Sequence, residues 1–455
     1  MIQDQQEAIE DALGASAEHD RKVVRDFRHN AAVGILFEAT WAVGMSFAII
    51  AVLVPAYLGE LASPRALIGF ASAIGVMTVP LQLFSERLAG GRNRTRSLWL
   101  LFSGCGLAYC LMGFVGLMMA RTGTRNIMIG LFIAMAAIFF ICNHLGSPTY
   151  QAVLTDNCPQ YRRGRLFGFR AITLGSVGLI GMVPARLILS HFSPLQAYHV
   201  AMLIAGGCFL LSSMCVLLFR DHLDPSRLES GERPRGVGEM ASEAAKLIRG
   251  LWNTPNYRVF IYFAMILAGA STIAPFMITS SRDLLESAPV APHYFQIVFL
   301  IASVLNGLFV GTFADRLGYK AILALQGLMA MVAFVVAQCA GDFATMVLSY
   351  GLLSCMSMGL PAVVCNLSVE LMPRISPAHL IAAANVIFLP IMVLLPWMGG
   401  WVIDLARSGG DPAWGYRVIF TIGVTLAALG CLGTLILVQE PRSGRVYVIK
   451  VLERV

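Results

Sequence analysis

The sequence predicts an all-α membrane protein with twelve transmembrane helices in two pseudo-symmetric six-helix bundles. Three observations predict it. Of 455 residues, 57% are hydrophobic and only 13% charged, with a mean hydropathy of +0.72. Apolar runs long enough to cross a bilayer recur along the whole chain. A charged interruption divides those runs into two equal sets. A soluble domain carries roughly a quarter charged residues. Hydrocarbon offers no water to backbone N–H and C=O groups, so only helices or closed barrels span it. Continuous apolar runs, rather than short alternating strands, select helices.

A helix needs about 20 apolar residues to cross the bilayer. The spans that meet this length are Ala31–Leu58, Ala66–Phe84, Ser97–Ala120, Ile127–Gln151, Phe167–His191 and Leu195–Phe219 in the first half. In the second they are Tyr257–Ser280, Pro292–Phe313, Lys320–Ala340, Phe343–Leu371, His379–Ile403 and Trp414–Val438. This divides the chain into an N-terminal tail (1–30), a six-helix bundle (31–219), a central loop (220–255), a second bundle (256–438) and a C-terminal tail (439–455).

Lys and Arg placement sets the orientation. With the N-terminus inside, most of the 33 basic residues fall on the inner side. The outer side holds Arg65, Arg121, Arg125, Arg282, Arg407 and Arg417, and Arg186 lies within a span. Both termini are therefore expected in the cytoplasm. The same placement explains the net charge of +7 without nucleic acid. A compact chain without large loops fits a bacterial inner membrane, and it reads as a monomer. The polar, mixed-charge first thirty residues do not resemble a signal peptide. Nine of the ten cysteines sit inside apolar runs, where a thiol acts as a small hydrophobe.

Within the central loop, Glu239–Trp252 reads as an amphipathic helix. Met240, Ala244, Leu247, Ile248 and Leu251 share one face at helical spacing. The flanking halves echo each other. Gly146-Ser147-Pro148 in the fourth span matches Gly359-Leu360-Pro361 in the tenth. Phe84-Ser85-Glu86-Arg87-Leu88 after the second span matches Phe313-Ala314-Asp315-Arg316-Leu317 after the eighth. Repeated halves are the pattern from which transporters build two rocking bodies.

The stretch from Gly311 through Asp315, Arg316 and Gly318 to Lys320 resembles the signature loop of the major facilitator superfamily. Phe313 replaces the family's Leu and Tyr319 its first basic residue. In the first-half copy Glu86 stands for the Asp, Arg87 matches, and Gln82 takes the place of the opening Gly. The resemblance covers nearly the whole chain, from Ala31 to Val438. It implies a secondary transporter working by alternating access, with a central cavity lined by spans one, four, seven and ten. It also places the Asp315 loop near the start of span five. Asp315 and the basic cluster of Arg162, Arg163 and Arg165 are therefore expected to form an inside latch.

Intramembrane charges are costly and usually functional. Glu38, about two turns into span one, is the candidate for proton coupling, because burial disfavours the charged form of a carboxylate. His144 in span four is its candidate relay partner. The cavity candidates are Trp41, Asn143, Tyr150, Arg186, Ser271, Thr272 and Asn366, with Arg186 suited to an anionic substrate. Arg170 reads as part of the basic inner loop. The expected partners are a small-molecule substrate, a coupling ion (a proton) and the lipid bilayer. No phosphate-binding Gly-Lys-Ser/Thr loop, catalytic triad or metal-ligand cluster occurs, so no enzyme, cofactor or metal is expected. Two other readings stay open: efflux of amphiphiles, drugs or lipids, and a transporter-like sensor or scaffold without turnover.

Overall fold

The computed structural model describes residues 2–85, 93–119, 125–159, 162–222, 237–285, 291–372, 375 and 377–439. All regular structure among them is helical. In the first half, α1 (Ile2–Phe47) and α2 (Ile50–Glu60) make the first span. α3 (Arg65–Met77) and a 3-10 turn at Val79–Phe84 make the second. Spans three to six are α4 (Arg94–Met119), α5 (Arg125–Asp156), α6 (Arg163–Leu189) and α7 (Pro194–Val216). α8 (Val237–Trp252) joins the halves. In the second half, α9 (Pro255–Ser271) and α10 (Ala274–Leu284) make span seven. α11 (Ala291–Leu317), α12 (Tyr319–Cys339), α13 (Phe343–Leu371), α14 (Pro377–Ser408) and α15 (Pro412–Leu437) complete it. Among the described residues, 11 segments are long and apolar enough to cross a membrane. The remaining one, α11, carries the apolar stretch His293–Asn306 within its 27 residues.

Helix α1 differs from the sequence expectation at its start, since it begins at Ile2 rather than near Ala31. The segment before Ala31 contains no proline and is rich in Ala, Glu and Gln, all good helix formers.

The two halves repeat one packing plan. The third span packs closely on the sixth (α4 on α7), and the ninth packs closely on the twelfth (α12 on α15). Small residues make the first of these contacts possible. A Cβ on Gly106 would lie 2.9 Å from the carbonyl oxygen of Gly206, and one on Gly206 2.8 Å from that of Gly106. Close backbone approach replaces the hydrophobic drive that lipid cannot supply between helices. The plan also repeats in its interruptions. Span one breaks at Ala48 and Ile49, and its counterpart, span seven, breaks at Thr272 and Ile273.

Buried ion pairs staple one end of the first half. Arg94, at the start of α4, donates through Nη1 to Asp156 at 2.6 Å and through Nη2 to Asp221 at 2.6 Å. Asp221 also accepts from Asn157 Nδ2 at 2.8 Å. The third, fourth and sixth spans are thus tied together where they leave the bundle. Nearby, Asn30 Nδ2 donates to the Arg220 carbonyl at 3.0 Å, which fixes α1 to the end of span six.

The halves meet at the opposite end, where α3 begins. The main pairs that cross the seam are α3 on α14, α6 on α11, and α2 on α10. The α3–α14 contact is backbone-tight. A Cβ on Gly69 would sit 1.9 Å from the Pro396 carbonyl oxygen, and one on Gly400 2.1 Å from that of Arg65. Toward the Asp156 end no comparable packing joins α5 to α13 among the described residues. Among the described residues, the backbone-tight contacts of the seam lie at the Arg65 end.

Overpacking a tight seam costs about 1–3 kcal/mol. Gly69→Leu is expected to lower the thermal unfolding temperature in detergent. Gly130→Leu, at a glycine with nothing within 4 Å of its Cβ position, is expected to leave it unchanged.

Candidate functional site: a closed seam, two broken helices and a buried ion pair

The seam is held by one arginine. Arg65 opens α3 in the first half, yet it is only 1% exposed, because the second half surrounds it. Its Nη2 donates to Asp283 Oδ1 at 2.5 Å and Oδ2 at 2.7 Å, and its Nε to Oδ2 at 3.0 Å. Such multiple pairing satisfies both the charge and the shape of a guanidinium. The Tyr416 hydroxyl of α15 accepts from Arg65 Nε at 3.2 Å and donates to Asp283 at 2.6 Å. Asp404 of α14 adds a cap from across the seam. Its two oxygens accept the backbone N–H groups of Arg65 and Ala66, each at 2.8 Å. The first amides of a helix have no partner within it, and the dipole there favours an anion. α3 is therefore capped by a carboxylate of the other half. The Arg282–Glu60 pair, at 2.9 Å, crosses the same seam in a more solvated position, where its contribution is small.

The two helix breaks lie midway along their spans. At the first, the Tyr109 hydroxyl of α4 donates to the Ala48 carbonyl at 3.1 Å. Just before it, Ser46 Oγ donates to the Gly178 carbonyl of α6 at 2.8 Å. At the second, Ser271 and Thr272 hydroxyls cap the end of α9, donating to the carbonyls of Ala268 at 2.6 Å and Gly269 at 2.7 Å. The interruptions fall at corresponding positions of the two repeats, and their backbone is bonded locally: the Ile49 carbonyl accepts from the Leu53 N–H at 2.7 Å and the Ile273 carbonyl from the Phe276 N–H at 3.0 Å. This is the arrangement that points to a substrate site in repeated transporter folds.

Between the breaks and the Asp156 end lies a buried ion pair within the first half. Arg170 of α6 donates to Glu38 of α1 through Nε at 2.9 Å and also through Nη2. Its guanidinium carbon lies 5.0 Å from the centre of the Tyr150 ring, and its Nη1 donates to Gln151 at 3.2 Å. Both charges are 7% exposed. The reading of Arg170 as a loop residue is corrected: it is the counter-ion of Glu38.

The other sequence candidates separate. His144 does not meet Glu38. It hydrogen-bonds Thr78 at 2.9 Å and stacks on Phe140. Tyr150 lies against Glu38's helix, its ring 4.5 Å from that of Phe37. Trp41 sits in the same aromatic cluster, 4.4 Å from Phe209. Asn143 and Asn366 bond within their own helices, to Ser147 and the Ala362 carbonyl. Arg186 lies on the seam, over Tyr294 of α11 at 5.5 Å, rather than in the middle of the bundle with Glu38 and Tyr150. In the latch region, Gly318 turns the chain between α11 and α12 with φ 83°, a conformation suited to glycine. Lys320 follows in the first turn of α12. Glu86 and Arg87 lie outside the described residues. Gly311, Asp315, Arg316, Arg163 and Arg165 lie on described helices, but their side-chain surroundings fall outside the description.

Sequence reasoning missed Arg65, Asp283, Asp404 and Tyr416. A signal existed: the outer side has few basic residues, and Arg65, Asp283 and Asp404 all fall at span ends there.

Two matched bundles, paired helix breaks and a single closed seam define a helical membrane transporter fold. The Major Facilitator Superfamily profile matches residues 36–400, and the chain belongs to that family. No curated protein sequence matches it. Solved structures share the fold at low identity. The nucleoside transporter NupG is 17% identical with a TM-score of 0.60, over 89% of this chain and 99% of its own. The inward-open xylose transporter XylE from E. coli is 14% identical with a TM-score of 0.61, over 90% and 96%. A mutant of the peptide transporter POT is 13% identical with a TM-score of 0.62, over 89% and 97%.

Removing one partner of a buried ion pair costs about 3–5 kcal/mol, while replacing both costs much less. Asp283→Asn should therefore destabilise the protein more than the double replacement Arg65→Leu with Asp283→Leu, as read by thermal unfolding. Asp404→Asn should speed hydrogen exchange at the Arg65 and Ala66 amides and leave the first turn of α13 unchanged.

Proposed function

We propose that the protein is a secondary active transporter that carries a small polar solute by alternating access, in a state open toward the cytoplasm. The observation that carries this reading is the one-sided charge lock of the seam at the Arg65 end, with no comparable packing of α5 on α13 toward the Asp156 end among the described residues. The basic residues favour the cytoplasmic side for the Asp156 end, by the positive-inside tendency. Outward opening then requires Arg65 to leave Asp283, Asp404 and Tyr416 together. Rocking of the halves about the seam is the switching mode that fits.

The solute binds between the two helix breaks, where the Ser271 and Thr272 hydroxyls supply hydrogen-bonding groups. Coupling runs through Glu38. While ionised, Glu38 holds Arg170. A proton on Glu38 removes the charge that Arg170 answers, so the cation turns to Tyr150, Gln151 or an anionic group of the solute. Only the ionised state gives Arg170 a carboxylate within its own half, and this gives the proton leverage over solute binding. His144, bonded to Thr78, tunes the packing of α5 against the second span. Asp315 and the basic cluster at the start of α6 form the inner latch in the opposite state.

Nucleosides, xylose and peptides are the first solutes to test, because the fold relatives include a nucleoside, a xylose and a peptide transporter. A thermal-shift screen finds the ligand, since a bound solute stabilises by mass action. Uptake of that solute into proteoliposomes should rise with an imposed pH gradient. Glu38→Gln should abolish the gradient's effect while exchange of solute between equal pools persists. Gradient-driven uptake that is unchanged in Glu38→Gln would remove Glu38 from the coupling step.

A further inference from the structure

A pocket of about 340 Å3 opens at the Asp156 end, between α1 and the turn that leads into α6. It is lined by Val24, Arg25, Phe27, Arg28, Pro159 and Arg162. Three arginines and three apolar residues therefore line one small space. The guanidinium carbon of Arg162 stands 5.3 Å from the centre of the Phe27 ring, which holds that cation against an apolar wall. Arg25 and Arg28 are exposed along α1. The adjacent carboxylate, Asp26, answers only part of this charge. It is buried and shared among Arg25 at 3.1 Å, Arg220 at 2.9 Å and His222 at 2.9 Å.

The height of the pocket is fixed by its neighbours. Leu217 and Leu218, at the end of span six, and Leu36 on α1 are exposed apolar side chains, which suits hydrocarbon. Asn30 is tied to Arg220, one step beyond those leucines. The pocket begins within one turn of that tie, so it lies at the level of lipid headgroups. Val24, 55% exposed, continues its apolar lining outward.

We propose that this rim pocket binds the phosphate headgroup of an anionic phospholipid of the inner leaflet. The phosphodiester takes the three guanidinium groups, and the glycerol and upper acyl carbons lie on Val24, Phe27 and Pro159. Guanidinium forks match phosphate oxygens, and basic pockets between helices at this level recognise anionic headgroups. An occupant here joins α1 to the start of α6, the two helices that Glu38 and Arg170 join deeper in the bundle.

The test is native mass spectrometry of the full chain released from bilayer discs of equal parts phosphatidylglycerol and phosphatidylcholine. The wild type is expected to retain phosphatidylglycerol selectively. Each arginine should contribute about fivefold, so the triple variant Arg25→Gln, Arg28→Gln, Arg162→Gln should lose on the order of a hundredfold. The three Arg→Lys replacements should keep most of the preference, and added salt should weaken it. If the triple variant does not survive release, Arg28→Gln alone carries the test, with a fivefold loss expected. Equal retention of the two lipids by the wild type, or an unchanged preference in the Gln variants, overturns the proposal. Displacement of phosphatidylglycerol by inorganic phosphate at equal concentration also overturns it, since the occupant is then a free anion.

Discussion

Arg65 places a full positive charge where almost no water reaches, and only the other half of the molecule can answer it. A buried guanidinium without partners is expensive. Asp283, Asp404 and Tyr416 come from three separate helices of the second half, and Arg65 gathers them on one point. The tight backbone contact at Gly69 and Gly400 follows from the same meeting, since α3 and α14 must touch for Asp404 to cap α3. The charged groups of the seam therefore sit together at one end, while apolar contacts such as Ile49, Met182 and Leu300 join the halves further along.

A second constraint works inside the first half. Glu38 and Arg170 are satisfied by each other and by Tyr150 and Gln151, without help from the second half. Arg94, Asp156 and Asp221 likewise close among themselves. In this structure the first half thus closes these charges within itself, while the seam pairs charges that belong to opposite halves.

Much of the fold was legible in the sequence because hydrocarbon imposes a simple rule. A segment that crosses must be long, apolar and helical, and each of these shows in a window of about 20 residues. The motif around Asp315, Arg316 and Gly318 then named the family. What stayed hidden depends on contacts between distant residues. Arg65 and Arg170 each read as a basic residue at a span end, because counting charges by side treats every one as solvated. Their partners lie 218 and 132 positions away. Glu38 was legible because a lone carboxylate inside an apolar run stands out, yet nothing local indicated that its partner is Arg170 rather than His144. The break at Ala48 was equally silent. Neither Ala48 nor Ile49 is a helix breaker, and the interruption is supported by Tyr109 from another helix.

The most direct measurement is a pair of spin-label distances, one between the halves at the Arg65 end and one at the Asp156 end. In Asp283→Asn with Asp404→Asn, the first distance should lengthen and the second shorten in the same molecules. Two distances that stay as in the wild type, or that lengthen together, would contradict a pair of rigid halves rocking about a lock at Arg65.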